Sequence, residues 1–259
     1  MSDSLILHDV TVRRGSKLLV EDLNLRVARG SHWAVLGPNG AGKTTMLRIA
    51  GTWLYPSVGT VDVLGYRFGR VDARELRRRI GYVDPKQRLD DISAWEAVLS
   101  GITASNGVLP RWTATPEQQR RCREVIELVG MTDRSARRWS EMSQGEKART
   151  LIARALITEP ELLLLDEPST GLDLPGRETL LRVIDTLRAD LPTLTSVMIT
   201  HHVEEIAAST TDVLMLKDGR VLFAGPVAEV LTAENLGALY DMDVQLERVR
   251  GRWFAFGAG

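Results

Sequence analysis

The chain's most specific chemistry lies in eight consecutive residues. Gly37, Pro38, Asn39, Gly40, Ala41, Gly42, Lys43 and Thr44 follow the pattern G-x-x-x-x-G-K-T, with a second hydroxyl at Thr45. Phosphates carry clustered negative charge, and consecutive backbone N–H groups at a helix start can face it. The glycines let the backbone wrap closely, Lys43 offers a mobile cation, and the Thr44 hydroxyl suits a magnesium ion. A second cluster is the apolar run Leu162, Leu163, Leu164, Leu165, which ends in Asp166 and Glu167. A buried strand delivering Asp166 at its carboxyl end fits a metal site, and Glu167 is the candidate base for an attacking water. Ser143, Gln144, Gly145 and Glu146 form a capping-box pattern. The positive end of that helix could also face a phosphate held by another protomer.

These residues need elements to position them. Residues 5–12, 18–27 and 33–36 read as strands, and Asn24, Arg26 and Arg29 alternate with apolar neighbours as on a half-buried antiparallel strand. The phosphate-type loop follows, then a helix over 44–50. Residues 61–64 and 80–83 read as strands around a basic, solvated helix face at 74–79. Residues 88–139 read mostly as helices. Ser93 and Glu96 form a capping box opening one that runs to about 99. Pro116 opens another, with Cys122, Val125, Ile126 and Val129 on one face and Gly130 at its end. Cys122 is therefore expected in the core. From 143 onward, helices are expected over 144–157, 175–188 and 203–208, with strands at 162–165 and 196–199. Asp218-Gly219 marks a hairpin between 213–216 and 221–223. The tail reads as two short helices and a second hairpin, 244–248 with 252–256. The expected fold is α/β, a phosphate-loop NTPase core with an antiparallel β subdomain and a helical subdomain inserted at about 87–140. The domain would span 1–226, with an extension at 227–259 packed on it.

Composition narrows the function. Among 259 residues, Lys+Arg is 33 and Asp+Glu is 34, so the net charge of −1 argues against a chain that coats nucleic acid. A single cysteine excludes a disulfide scaffold. No uncharged apolar stretch reaches the roughly 18–20 residues that span a bilayer, and no basic segment precedes an apolar one at the N-terminus, so no secretory signal is expected. Any work at a membrane is expected to go through another subunit.

Together the motifs resemble the ATP-binding subunit of an ABC (ATP-binding cassette) transporter. Met142 to Glu146 is similar to the signature motif, with its Ser143 standing 23 positions before Asp166. Ser169-Thr170-Gly171-Leu172-Asp173 resembles the D-loop, and Thr200-His201 the switch histidine. The resemblance covers about 5–225. The tail from Gly225 to Thr232, with Leu236 and Tyr240, is similar to those of subunits serving iron-chelate, vitamin B12 or oxyanion importers.

The resemblance implies ATP and Mg2+ as cofactors, with Thr44, Gln87 and Asp166 around the metal and Lys43, Glu167 and His201 in catalysis. It implies that Ser143 and Gly145 touch the γ-phosphate of a partner's nucleotide, and that Asp173 couples the two sites. It implies a homodimer or paralogue dimer that closes on ATP, polytopic membrane subunits as partners, and a cytoplasmic place on the inner face of the cell membrane. Nucleic acid is not an expected partner. The helical subdomain would carry the groove for a membrane subunit's coupling helix.

A soluble ABC ATPase acting in translation, repair or cofactor assembly is the alternative. Such proteins often have two cassettes, an inserted coiled coil or a basic arm, and this sequence has none of these. A phosphate-loop kinase or GTPase would leave the signature and D-loop unexplained. Three positions depart from the family pattern. Gln144 replaces a glycine. Arg14 stands roughly where an aromatic residue stacks on adenine, and its planar guanidinium can also stack on a base. Gln87 comes later after the Ile80-Gly81-Tyr82-Val83 strand than the usual glutamine. His202 is expected to be structural.

Overall fold

The computed structural model describes residues 3–258. Strands β1 (Asp3–Arg14) and β2 (Lys17–Ala28) form an antiparallel ribbon. β3 (His32–Leu36) enters a second sheet, and β4 (Val58–Val63) and β5 (Tyr66–Arg67) return to the first, whose order is β2-β1-β4-β5. The expected alternation holds in β2: Leu23, Leu25 and Val27 are buried while Asp22, Asn24 and Arg26 are exposed.

The second sheet adds β6 (Ile80–Val83), β7 (Leu162–Asp166), β8 (Thr195–Ile199), β9 (Asp212–Lys217) and β10 (Arg220–Pro226), in the order β10-β9-β3-β8-β7-β6. All neighbours pair in parallel except β10 with β9. Parallel strands bring their carboxyl ends to one edge, which is where ligands bind in such sheets. Here the loops after β3, β7 and β8 carry Gly37–Gly42, Glu167 and His201. Leu162 to Leu165 are fully buried, which explains an unbroken apolar run where a one-sided strand would alternate.

Helix α1 (Lys43–Ala50) follows the glycine loop, and α2 (Ala73–Arg78) exposes Arg74 and Arg78; Arg77, expected on the same solvated face, instead turns in and donates to the Thr52 carbonyl at 2.7 Å. Between β6 and β7 lie α3 (Ala94–Thr103), α4 (Pro116–Leu128) and α5 (Gln144–Leu156), and α6 (Leu174–Asp190) follows β7. Ser93, Thr115 and Ser143 open α3, α4 and α5 with reciprocal capping boxes. Val98, Cys122, Val125, Ile126 and Ile152 share one buried cluster between these helices. Cys122 is fully buried, a core residue as expected, and this burial pushes its thiol up to about 12.

The tail forms α7 (Val227–Val230), α8 (Ala233–Tyr240), β11 (Val244–Val249) and β12 (Arg252–Gly257). Leu236 and Leu239 pack with Leu36 and Met215, so the tail shares a core with the parallel sheet.

One expectation fails. Residues 203–208 do not form a helix; a single 3-10 turn, Val203–Glu205, is present and Ile206 is extended. The apolar spacing of Val203, Ile206 and Ala207 looks helical, but all three are buried by the sheet. The buried Glu205 carboxylate instead accepts from the Thr200 hydroxyl, which holds the chain in a tight turn.

Candidate functional site

The glycine loop joins β3 to α1. Gly42 is the N-cap of α1 at φ 97°, where a Cβ would lie 2.5 Å from Val20 Cγ1, and a Cβ on Gly37 would lie 2.2 Å from the Leu216 carbonyl. Only glycine fits either place. Lys43 is 5% exposed. Its ammonium donates to the carbonyls of Gly37 at 2.7 Å and Pro38 at 3.0 Å, and stands 3.3 Å from Nδ1 of His201. Burial pushes its pKa down, opposed by the charges of Glu167 and Asp166.

Asp166 ends β7 with both oxygens engaged. Oδ1 accepts from the Thr44 hydroxyl and Oδ2 from the Tyr82 hydroxyl, each at 3.1 Å. Burial raises the Asp166 pKa, these two bonds lower it, and the charges of Glu167 and Asp84 raise it further. Thr44 and Asp166 thus offer facing oxygens, the donor type that magnesium takes. Tyr82 was not singled out from the sequence. Its ring packs on Trp53 with centroids 4.5 Å apart, and burial followed by the Asp166 charge pushes its pKa up, so it remains a donor.

Glu167 has φ 54°, a left-handed backbone that costs a non-glycine residue roughly 1–2 kcal/mol. Its N–H donates to the Ile199 carbonyl at 3.2 Å, tying the end of β7 to β8. Its Oε1 lies 2.6 Å from His201 Nε2. A lysine ammonium only donates. With Lys43 against Nδ1, that nitrogen accepts, and Nε2 carries the hydrogen donated to Glu167. Lys43, His201 and Glu167 therefore form one continuous chain of hydrogen bonds at the carboxyl edge of the sheet.

A cleft of about 840 Å3 opens beside this cluster, lined by Arg14, Thr44, Thr45, Trp53, Tyr82 and Gln87, among others. Arg14 is exposed and shares the cleft with the phosphate-type loop, as a base-stacking group requires. The late position of Gln87 has a local reason. Asp84 to Gln87 is a turn closed by Gln87 N–H to the Asp84 carbonyl at 2.9 Å and by Lys86 N–H to Asp84 Oδ1 at 2.8 Å. The turn absorbs the extra residues and leaves Gln87 on the cleft wall.

A separate hollow of about 440 Å3 holds Ser143, Gln144, Gly145 and Asp173. It shares no lining residue with the first. Ser143 Oγ accepts from Glu146 N–H at 3.2 Å, and Asp173 Oδ1 caps α6 by accepting from Gly176 N–H at 2.9 Å. Gln144 is exposed at the first helical position and disturbs neither cap. The signature and D-loop residues thus meet each other and stay apart from the glycine-loop cleft of their own chain.

Comparison with known proteins agrees with this layout. The family model for ABC transporters matches residues 20–170. The chain is 39% identical to an uncharacterized ABC transporter ATP-binding protein, YlmA, of Bacillus subtilis (strain 168), covering 93% of this chain and 92% of that one. It is similar to the structure of cbiO1 from Clostridium perfringens, part of the ABC transporter complex cbiONQ, with TM-score 0.79 and 25% identity over 91% of this chain and 93% of that one. It is also similar to a dimeric post-hydrolysis structure of the ATP-binding cassette MJ0796 bound to ADP and Pi, with TM-score 0.72 and 27% identity over 86% and 98% of the two chains. Glycine loop, paired carboxylates, switch histidine and signature hollow occur together on the fold of these proteins. The chain belongs to the ABC transporter family, as one of its ATP-binding ATPase subunits.

Proposed function

We propose that this subunit binds MgATP in the cleft beside the glycine loop and hydrolyses it between two protomers. The backbone from Gly37 to Thr45 cradles the phosphates. Lys43 exchanges its bonds to the Gly37 and Pro38 carbonyls for phosphate oxygens. Thr44 and Asp166, with Gln87 from the cleft wall, hold Mg2+, which when bound neutralises charge on the phosphates. Arg14 stacks on the base. Glu167 takes the proton of the attacking water, and His201 orients both Glu167 and the γ-phosphate. The observation that carries this reading is the hydrogen-bonded chain from Lys43 through His201 to Glu167, which puts a cation, a switchable ring and a base in one line.

The charged side chains at this hollow are engaged within the chain, Arg149 with the Val129 and Gly130 carbonyls and Glu146 with Arg137, and this supports Ser143 and Gly145 serving a second protomer's nucleotide. Asp173 at the same hollow couples the two sites. The dimer is a homodimer or pairs close paralogues. Residues 1–226 act as the ATPase domain with 227–259 as its extension, and the insertion at 87–140 meets polytopic membrane subunits. Among the described residues no helix is long and apolar enough to cross a membrane, which fits a cytoplasmic subunit held at the inner face by those partners. Glu167→Gln tests the reading. Loss of a general base costs about 10²–10⁴ in rate, so turnover should fall by that factor while ATP still binds. Wild-type turnover would remove Glu167 as the base and leave His201 as the candidate.

A further inference from the structure

The C-terminal hairpin is tied mainly through Arg252 to two segments that lead to the catalytic edge. β11 and β12 pair with Val249 opposite Arg252, across a turn whose Arg250 and Gly251 both have positive φ, 50° and 81°. This tight turn aims Arg252 back toward the parallel sheet. Its side chain is only 20% exposed. Nη1 donates to Glu178 Oε2 at 2.8 Å, and Nη2 donates to the Glu204 carbonyl at 2.5 Å. The hydrogen bond from Arg252 is the first cause holding the Glu178 carboxyl below its usual range. A second tie runs from Ala255 N–H to Glu204 Oε1 at 3.3 Å. Among the described residues Arg252 Nε is buried with no partner, so one donor of the guanidinium goes unmet.

The two segments that Arg252 joins both lead to the site. Glu204 lies in the 3-10 turn three residues after His201. Glu178 lies on α6 five residues after its N-cap Asp173, about 7.5 Å along a rigid helix. We infer that Arg252 is a positioning residue that locks the His201 segment to the Asp173 helix, so that the ring facing Glu167 and the helix start facing the second protomer move as one unit. A planar guanidinium can hold a carboxylate and a carbonyl together in fixed geometry, which a lysine cannot. The inference rests on the proposed roles of His201 and Asp173.

The test uses the full chain and four variants: Arg252→Ala, Glu178→Ala, the double variant and Arg252→Lys. kcat and KM for ATP are measured with the melting midpoint of each. Displacing an oriented group from a distance costs up to about 10²-fold, and Arg252→Ala should lower kcat about tenfold with KM within about twofold. Glu178→Ala should cost less, because the Glu204 tie survives, and the double variant should be no slower than Arg252→Ala. Arg252→Lys should recover little of kcat, because an ammonium keeps the charge but not the planar fork. Unchanged kcat, a rise confined to KM, or multiplying effects in the double variant would overturn the inference. Should Arg252→Ala fail to fold, Glu178→Ala and Arg252→Lys decide it: lower kcat at an unchanged melting midpoint supports the lock, and wild-type kcat overturns it. A wild-type chain unable to hydrolyse ATP would instead sink the proposed function beneath it.

Discussion

The two hollows are built from similar parts and differ in what their side chains face. Each stands at the start of a helix and contains glycine and hydroxyl groups. In the glycine-loop cleft the side chains face one another: Lys43 to His201, His201 to Glu167, and Thr44 and Tyr82 to Asp166. In the signature hollow they turn back on their own helices, with Ser143 capping α5 and Asp173 capping α6. A cation, a base and metal-type oxygens therefore stand beside the first hollow. The second holds Arg149 and Glu146, but Arg149 donates to the Val129 and Gly130 carbonyls and Glu146 accepts from Arg137, which leaves the positive end of a helix to face a ligand. This contrast supports the proposal that catalysis belongs to the first and that the second completes a partner's site.

Lys43→Ala should have the largest effect. It removes the cation against the phosphates and should abolish ATPase activity while the circular dichroism spectrum stays native. Near-normal turnover would end the assignment of the first hollow. Ser143→Arg places a bulky charge on the second hollow. Fluorescent ATP should bind the lone chain as tightly as wild type, while turnover falls to background. Weakened binding by the isolated chain would mean that the two hollows are not independent.

Effects at the rim should be smaller. If Arg14 stacks on the base, Arg14→Ala should weaken ATP binding by about 0.5–2 kcal/mol, and Arg14→Tyr should restore it. Titration calorimetry with unchanged affinity for both variants would make Arg14 a solvated turn residue.

A site outside both hollows should affect stability alone. His32 is buried, with Nδ1 2.7 Å from Ser196 Oγ, and burial followed by the Arg188 charge holds its pKa down to about 4. The unfolded chain binds this proton below about 6.5 and the native chain only near 4, so stability should fall as pH drops through that window. The loss is at most about 3 kcal/mol. Denaturant melts of His32→Gln should show a flatter pH dependence between 6.5 and 4, with turnover at neutral pH unchanged. An equal slope in the variant would place the titration elsewhere.

The parts legible in the sequence were those that physics makes local. The capping boxes at Ser93 and Ser143 and the Asp218-Gly219 turn depend on residues two to four positions apart. The run Leu162 to Leu165 is legible because a strand buried on both faces needs no alternation. Helix against turn at 203–208 was not legible, since Val203, Ile206 and Ala207 satisfy either pattern until Thr200 and Glu205 are seen to pair. Within the site, Lys43, Asp166 and Glu167 follow from the residue patterns themselves, and His201 from the family resemblance. Tyr82 does not, because its bond to Asp166 joins positions 84 apart in the chain. The Arg252 tie was hidden for the same reason, spanning 74 positions to Glu178 and 48 to Glu204.

Whether two incomplete hollows make one site across two protomers is tested most directly by the mass of the Glu167→Gln chain in MgATP. With hydrolysis blocked and ATP retained, light scattering should show a shift from monomer to dimer on adding MgATP. Adding Ser143→Arg to the same chain should leave ATP bound and abolish the shift. A dimer that forms equally well with Ser143→Arg, or without ATP, would contradict a nucleotide held between the glycine loop of one protomer and the signature of its partner.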